Sequence, residues 1–223
     1  ELRIKKTDSE LPKIRKAQLI SEQALDCLIK NDIQEGVSER YLAAKYCEYI
    51  ARFGAEKPSF DTIVLFGSNS SKPHGVPSNK TLKRGNNILI DCGAKYYGYC
   101  SDMTRNIFFG TPTEKYVNVY NIVLEAQKKA LEKATFKARL GDVDAAARDY
   151  IKEQGYGDKF GHATGHGVGM DIHEYPSISP KEPFVYPTLH DRMVVTIEPG
   201  IYLPGEFGVR IEDLIAIRED KVY

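Results

Sequence analysis

The chain carries no net charge, because 31 Lys and Arg balance 31 Asp and Glu. That removes the bulk electrostatic argument for nucleic acid or an anionic membrane as partner. The charged runs KKTDSE and IREDK mix both signs and read as solvated faces. No apolar run approaches the roughly 20 residues that a membrane helix needs. The opening ELRIKKTDSE has no apolar core, so it does not read as a signal peptide. It has no initiator Met either, and the chain is expected to start inside a longer gene product. The four cysteines, Cys27, Cys47, Cys92 and Cys100, form no CxxC pair. Free thiols in a cytoplasmic protein are the expectation. No low-complexity linker divides the 223 residues, which suffice to bury one real core. Residues 1–223 are therefore expected to form a single domain.

What is present is a pattern that occurs twice. Apolar residues at helical spacing predict a helix over about 8–30. Ser38 is a candidate N-cap for a second helix bearing Leu42, Tyr46, Tyr49 and Phe53, closed by Gly54. A strand at TIVLF and a polar loop, GSNSSKPHGVPSN, precede two β-rich runs, NILIDCG and YCSDMTRNIFF. Then the order recurs. A helix is expected over about 114–137, and another after Gly141-Asp142. A histidine-bearing segment follows, then MVVTIEPG and VRIEDLIAI. Gly36 and Gly141 are read as the same point in the two copies. Two copies give an α+β fold with a curved, mostly antiparallel sheet and helices on one face.

The β-rich runs carry acidic residues where strands should be apolar. A turn centred between Tyr96 and Tyr97 sets Asp91 opposite Asp102. A turn centred on Gly205 sets Glu198 opposite Glu212. Facing like charges repel unless something positive lies between them. Turn chemistry alone explains either pair singly, with Asp before Gly and Glu before Pro-Gly. Two such pairs in repeated units favour a pair of divalent cations. Oxygen-rich ligation with one imidazole suits Mn²⁺ first, with Co²⁺, Zn²⁺ or Fe²⁺ as alternatives. Two such ions can share a bridging hydroxide that attacks a carbonyl. The stretch GHATGHGVGMDIHE holds three of the five histidines and too much glycine for a good helix. One of its imidazoles can complete the metal set.

The blocks IDCGAKYYGYCSDMTR, GHATGHGVGMDIHE, TIEPGIY and GVRIED resemble the signatures of the pita-bread metallopeptidases, which include methionine aminopeptidases, Xaa-Pro aminopeptidases and Xaa-Pro dipeptidases. The resemblance implies the pita-bread fold and a ligand set. Asp91 resembles the bidentate ligand of one ion, Asp102 and Glu212 the bridging carboxylates, and His166 the imidazole ligand. Glu198 resembles the glutamate that binds metal and serves as base. His74 resembles the histidine that contacts substrate near the scissile bond, and His173 the one that stabilises the oxyanion. His162 matches a histidine lining the pocket of Xaa-Pro enzymes. Arg210 resembles an arginine that orients a carboxylate ligand. SDMTRN and the paired His162 and His166 favour the Xaa-Pro branch.

The resemblance also implies an absent N-terminal domain and homodimerisation of the full-length protein. The function it implies first is an aminopeptidase acting on peptides with proline at the second position, through the metal-bridging hydroxide. Xaa-Pro dipeptidase is the alternative and methionine aminopeptidase the third. From another class comes a non-catalytic peptide-binding module of the same fold.

Overall fold

The computed structural model describes residues 3–181, 186–219 and 222–223. Asp220 and Lys221 of the IREDK run, and Glu1 and Leu2 of the opening segment, lie outside the described residues. The first half contains α1 (Leu11–Asn31), α2 (Glu39–Arg52), β1 (Lys57–Pro58), β2 (Ile63–Phe66), β3 (Asn86–Cys92), β4 (Ala94–Tyr96), β5 (Tyr99–Cys100) and β6 (Met103–Phe109). The second contains α3 (Glu114–Lys133), α4 (Leu140–Glu153), β7 (Gly165–Gly167), β8 (Glu174–Ile178), β9 (Val194–Ile197), β10 (Gly200–Leu203), β11 (Phe207–Arg210) and β12 (Asp213–Ala216). All strand pairings are antiparallel, with orders β2-β3-β6, β1-β4-β5, β12-β9-β7-β8 and β10-β11. An isolated bridge, Thr104 to Glu212, links β6 to the segment before β12 and so helps join the halves.

Each half has its own core. Ile20, Ala24 and Leu28 of α1 meet Leu42 and Tyr46 of α2 and Ile88 and Ile90 of β3. Val119 and Val123 of α3 meet Val143 and Ala147 of α4 and Val195 and Ile197 of β9. Helical spacing on one side and two-residue alternation on the other bring these stripes face to face. Ser38 caps α2 as expected, its Oγ accepting from Tyr41 N–H at 3.1 Å. The third helix stops at Lys133, short of the expected 137. The four cysteines are free. No helix among the described residues is long and apolar enough to cross a membrane.

Two sequence expectations need correction. The first hairpin turns at Tyr97-Gly98, both with positive φ (46° and 79°), the geometry of a primed two-residue turn. The turn is centred one residue later than expected, so the register is shifted by two residues and Asp91 pairs with Thr104, not Asp102. The second hairpin has the expected register. Gly200 pairs with Arg210 and Ile197 with Asp213, so Glu198 and Glu212 lie at the break between those ladders. The repeat is also shifted. Gly36 (φ +89°) donates to Leu82 O, and the residue making the matching bond, to Leu189 O, is Lys137 (φ 67°). Gly141 lies inside α4 instead. An L residue tolerates that left-handed position at some cost, so glycine spacing misjudges the repeat.

Candidate active site

The side chains of His74, Asp91, Asp102, His162, His166, His173, Glu198, Arg210 and Glu212 all line one cavity of about 220 Å³. Strand alternation places the first acid. Ile88, Ile90 and Cys92 of β3 point into the helix-covered core, so Asp91 projects from the opposite face. Asp102 sits just before β6, Glu198 just after β9 and Glu212 just before β12. Asp102 and Glu212 are only 4 % and 2 % exposed.

The glycines around His166 explain why that stretch is not a helix. It is a short strand lodged between two neighbours. A Cβ at Gly165 would lie 1.9 Å from Thr196 O, and one at Gly167 would lie 2.5 Å from Tyr175 O. Only glycine admits so close a backbone approach. The result is His166 aimed at the acids. Its Nδ1–H donates to Gly167 O at 3.0 Å, which leaves the lone pair on Nε2. Nε2 faces Glu198 Oε1 at 3.3 Å and Asp102 Oδ2 at 3.6 Å. Burial pushes the imidazole pKa down to about 4, so the ring is neutral near pH 7.

A neutral lone pair facing carboxylate oxygens is repulsive without a cation. The acids tell the same story. Burial, and then the charge of neighbouring carboxylates, raises Asp102 and Glu212 well above the usual carboxylate range. Burial lifts Glu198 to about 7. Asp91 is raised by burial against the opposing pull of Arg210, and its Oδ1 is buried without a partner. Ligand atoms of Asp102, His166 and Glu212 lie within 4.8 Å of one another. This donor set fits a divalent cation, with Asp91 and Glu198 adjoining.

Arg210, 3 % exposed, ties the acids to the pocket wall. It donates to Asp91 Oδ2 at 2.6 Å, Thr104 Oγ1 at 3.0 Å and Tyr202 OH at 2.9 Å. Thr104 Oγ1 in turn donates to Glu212 Oε2 at 2.6 Å. Tyr202 accepts from Arg210, so its own proton goes to His162 Nε2 at 2.8 Å. His162 Nδ1–H donates to Ala163 O at 2.8 Å. Both nitrogens of His162 are thus engaged, and burial holds its pKa down to about 4. His173 stacks edge-on against His166 with centroids 4.4 Å apart. His74 is exposed at the rim, beside Pro73.

Sequence reasoning missed Tyr202 and Thr104. Thr104 had a legible signal: it lies two residues after Asp102, on the same strand face. It also missed the apolar walls Phe60, Ile63 and Ile172, which come from two separate segments.

A model of metallopeptidase family M24 matches residues 12–219. The Xaa-Pro dipeptidase of Pyrococcus furiosus is 50 % identical over 221 residues, covering 99 % of this chain and 62 % of the relative. The chain thus spans about 62 % of the length of the curated relatives it matches. Among solved structures, an X-Pro aminopeptidase from Thermotoga maritima matches with a TM-score of 0.95 and 41 % identity, over 100 % of this chain and 62 % of that one. A prolidase from Pyrococcus furiosus matches with a TM-score of 0.94 and 48 % identity, over 100 % and 65 %.

Proposed function

Because the chain belongs to metallopeptidase family M24, we propose that it is the catalytic part of an Xaa-Pro metallo-exopeptidase whose preferred substrate is an Xaa-Pro dipeptide. The observation that carries this reading is the convergence of four acids and one neutral imidazole on a single small cavity. The sequence by itself put aminopeptidase first. The 50 % identical relative is named a dipeptidase, and that supports the dipeptidase reading better. The aminopeptidase reading keeps the support of the 41 % identical Thermotoga maritima structure.

Asp91, Asp102, His166, Glu198 and Glu212 would hold two divalent ions, Mn²⁺ ahead of Co²⁺, Zn²⁺ or Fe²⁺. When bound, such ions supply Lewis acidity and lower the pKa of water toward neutrality. Glu198 takes the proton of the attacking water on a carboxylate oxygen, while Thr196 Oγ1 donates to Oε1 at 3.0 Å and orients the group. Glu198 then returns that proton to the leaving proline nitrogen, which as a tertiary amide had no N–H of its own. His173 donates to the carbonyl oxygen as charge builds there. His74 contacts the substrate beside the scissile bond. Arg210 holds Asp91 through Oδ2, and the carboxylate, whose buried Oδ1 has no hydrogen-bond partner, would help hold an ion. His162, with both nitrogens satisfied, offers a neutral ring to the prolyl side, together with Phe60, Ile63, Pro73 and Ile172.

The test is hydrolysis of Xaa-Pro peptides of two, three and five residues by metal-stripped, Mn²⁺-reloaded protein, with Xaa-Ala controls. Cleavage of the dipeptide alone supports the dipeptidase. Equal cleavage of the longer peptides moves the assignment to aminopeptidase. Loss of the preference for proline over alanine contradicts both.

A further inference from the structure

His74 reaches the cavity on a loop, and something must hold that loop to the scaffold. The loop leaves β2 at Phe66 and runs to Lys80. It belongs to neither of the regular ladders that fix the acids. One side chain that meets both of its ends is Glu39, the first residue of α2. Glu39 is fully buried, at 0 % exposure, and lies outside the cavity that holds the acids.

Its carboxylate accepts from both ends of the loop. At the departing end, Phe66 N–H donates to Oε1 at 2.7 Å and Asn69 Nδ2 donates at 3.0 Å. At the returning end, Ser78 N–H and Ser78 Oγ donate to Oε2 at 2.9 and 2.6 Å. All these partners are donors, so an ionised acceptor satisfies them together, and charge-assisted bonds of this kind are the strong ones. The nearby Lys80 ammonium does not compete for the carboxylate; it donates to Phe66 O at 2.7 Å and tightens the same root. His74 lies between the two clamped ends. On its flank, a Cβ at Gly75 would meet Leu65 Cδ1 at 2.7 Å, so the chain there is pressed against β2.

The second half meets the same need with a different residue. Asp144 of α4, 1 % exposed, accepts from Thr164 Oγ1 at 2.7 Å and pairs with Arg148 at 2.7 Å. Arg148 extends this grip by donating to Phe160 O and His162 O at 3.0 and 2.8 Å. A buried helix-borne carboxylate thus sits beneath each histidine-bearing segment.

We infer that Glu39 is a positioning residue that acts through His74, clamping both ends of residues 66–78 so that the imidazole is presented to substrate. The inference rests on the reading of His74 as a substrate-contacting group, so one arm of its test needs no activity. Glu39→Gln keeps the shape but turns an amide N–H₂ toward donors. In the full-length protein, hydrogen exchange at amides 66–78 is expected to accelerate at least about tenfold, with β9 and β12 unchanged. Unchanged exchange in the loop overturns the clamp. Uniform acceleration across the fold also overturns it and makes Glu39 a general stability residue. Ser78→Ala deletes the 2.6 Å bond to Glu39 together with the bond that Ser78 Oγ accepts from Lys80 N–H at 3.1 Å, while it keeps the carboxylate, and it carries the exchange test if Glu39→Gln does not fold.

The kinetic arm uses Ala-Pro with the Mn²⁺-loaded enzyme. Misplacing one contacting group by about 1 Å can cost up to about 100-fold, so kcat/KM in Glu39→Gln should fall by about 10- to 100-fold. In a His74→Ala background the same change should cost less than about twofold, since the group it positions is gone. Equal losses in both backgrounds overturn the inference. If the wild type cleaves no Xaa-Pro peptide, the proposed function fails, and the exchange arm still decides the clamp.

Discussion

Replacing Arg210 by methionine removes the guanidinium that faces Asp91 and leaves that carboxylate buried beside other acids. The guanidinium is 3 % exposed and makes hydrogen bonds to Asp91, Thr104 and Tyr202. Breaking one side of such a buried pair costs about 3–5 kcal/mol, chiefly because the remaining charge has no partner. Removing both charges is far milder, since a neutral amide in place of the carboxylate demands less compensation. The metal-free Arg210→Met protein should therefore lose about 3–5 kcal/mol in urea unfolding, and adding Asp91→Asn should restore at least about 1 kcal/mol. Circular dichroism of the wild type, both single variants and the double variant completes the cycle. A single-variant loss under about 1 kcal/mol, or a double variant that loses the sum of the singles, would refute the argument that Arg210 exists to neutralise and orient Asp91.

Other consequences follow from the same geometry. His166→Ala and Asp102→Asn should each lower Mn²⁺-dependent hydrolysis by about 100-fold or more, because Lewis acidity contributes several kcal/mol; assay at saturating Mn²⁺ checks this. Gly165→Ala places a methyl 1.9 Å from Thr196 O, a backbone atom that cannot yield. It should cost about 1–3 kcal/mol or more in urea unfolding. Acid should weaken the contact between the N-terminal segment and β8. Burial raises the Glu174 pKa, but the hydrogen bond from Arg3 and the charge of Lys6 outweigh it and leave the group below its ordinary 4.5. A lowered carboxylate contributes stability above its unfolded value that is lost as pH falls through the folded one. Unfolding free energies above and below pH 4.5 should thus diverge less in Glu174→Gln than in wild type.

Local signals in the sequence were reliable where the physics is local. Ser38 caps α2 because its side chain and the amide it accepts from are three residues apart. The four acids stood out because carboxylates are out of place in apolar strands, whereas His166 was singled out among the histidines of its stretch by the family resemblance. The first hairpin's register failed for an equally local reason: Tyr97 takes a left-handed conformation that its own residue type does not advertise. Lys137 hides the repeat in the same way. Glu39 and Tyr202 were illegible for another reason. Glu39 looks like ordinary first-turn acid on a helix, and only the return of Ser78 to its side reveals its use. Tyr202 is tied to the site through its hydrogen bonds with Arg210 and His162, which arrive from different segments. Hydrogen bonds between residues distant in the chain leave no periodicity to read.

The proposed function requires Asp91, Asp102, Glu198, Glu212 and His166 to form a binuclear metal centre, and calorimetric titration of the metal-stripped protein with Mn²⁺ reads that out. Two ions per chain are expected in the wild type, with loss of at least one in Asp102→Asn. No binding, or binding untouched by that substitution, would contradict it.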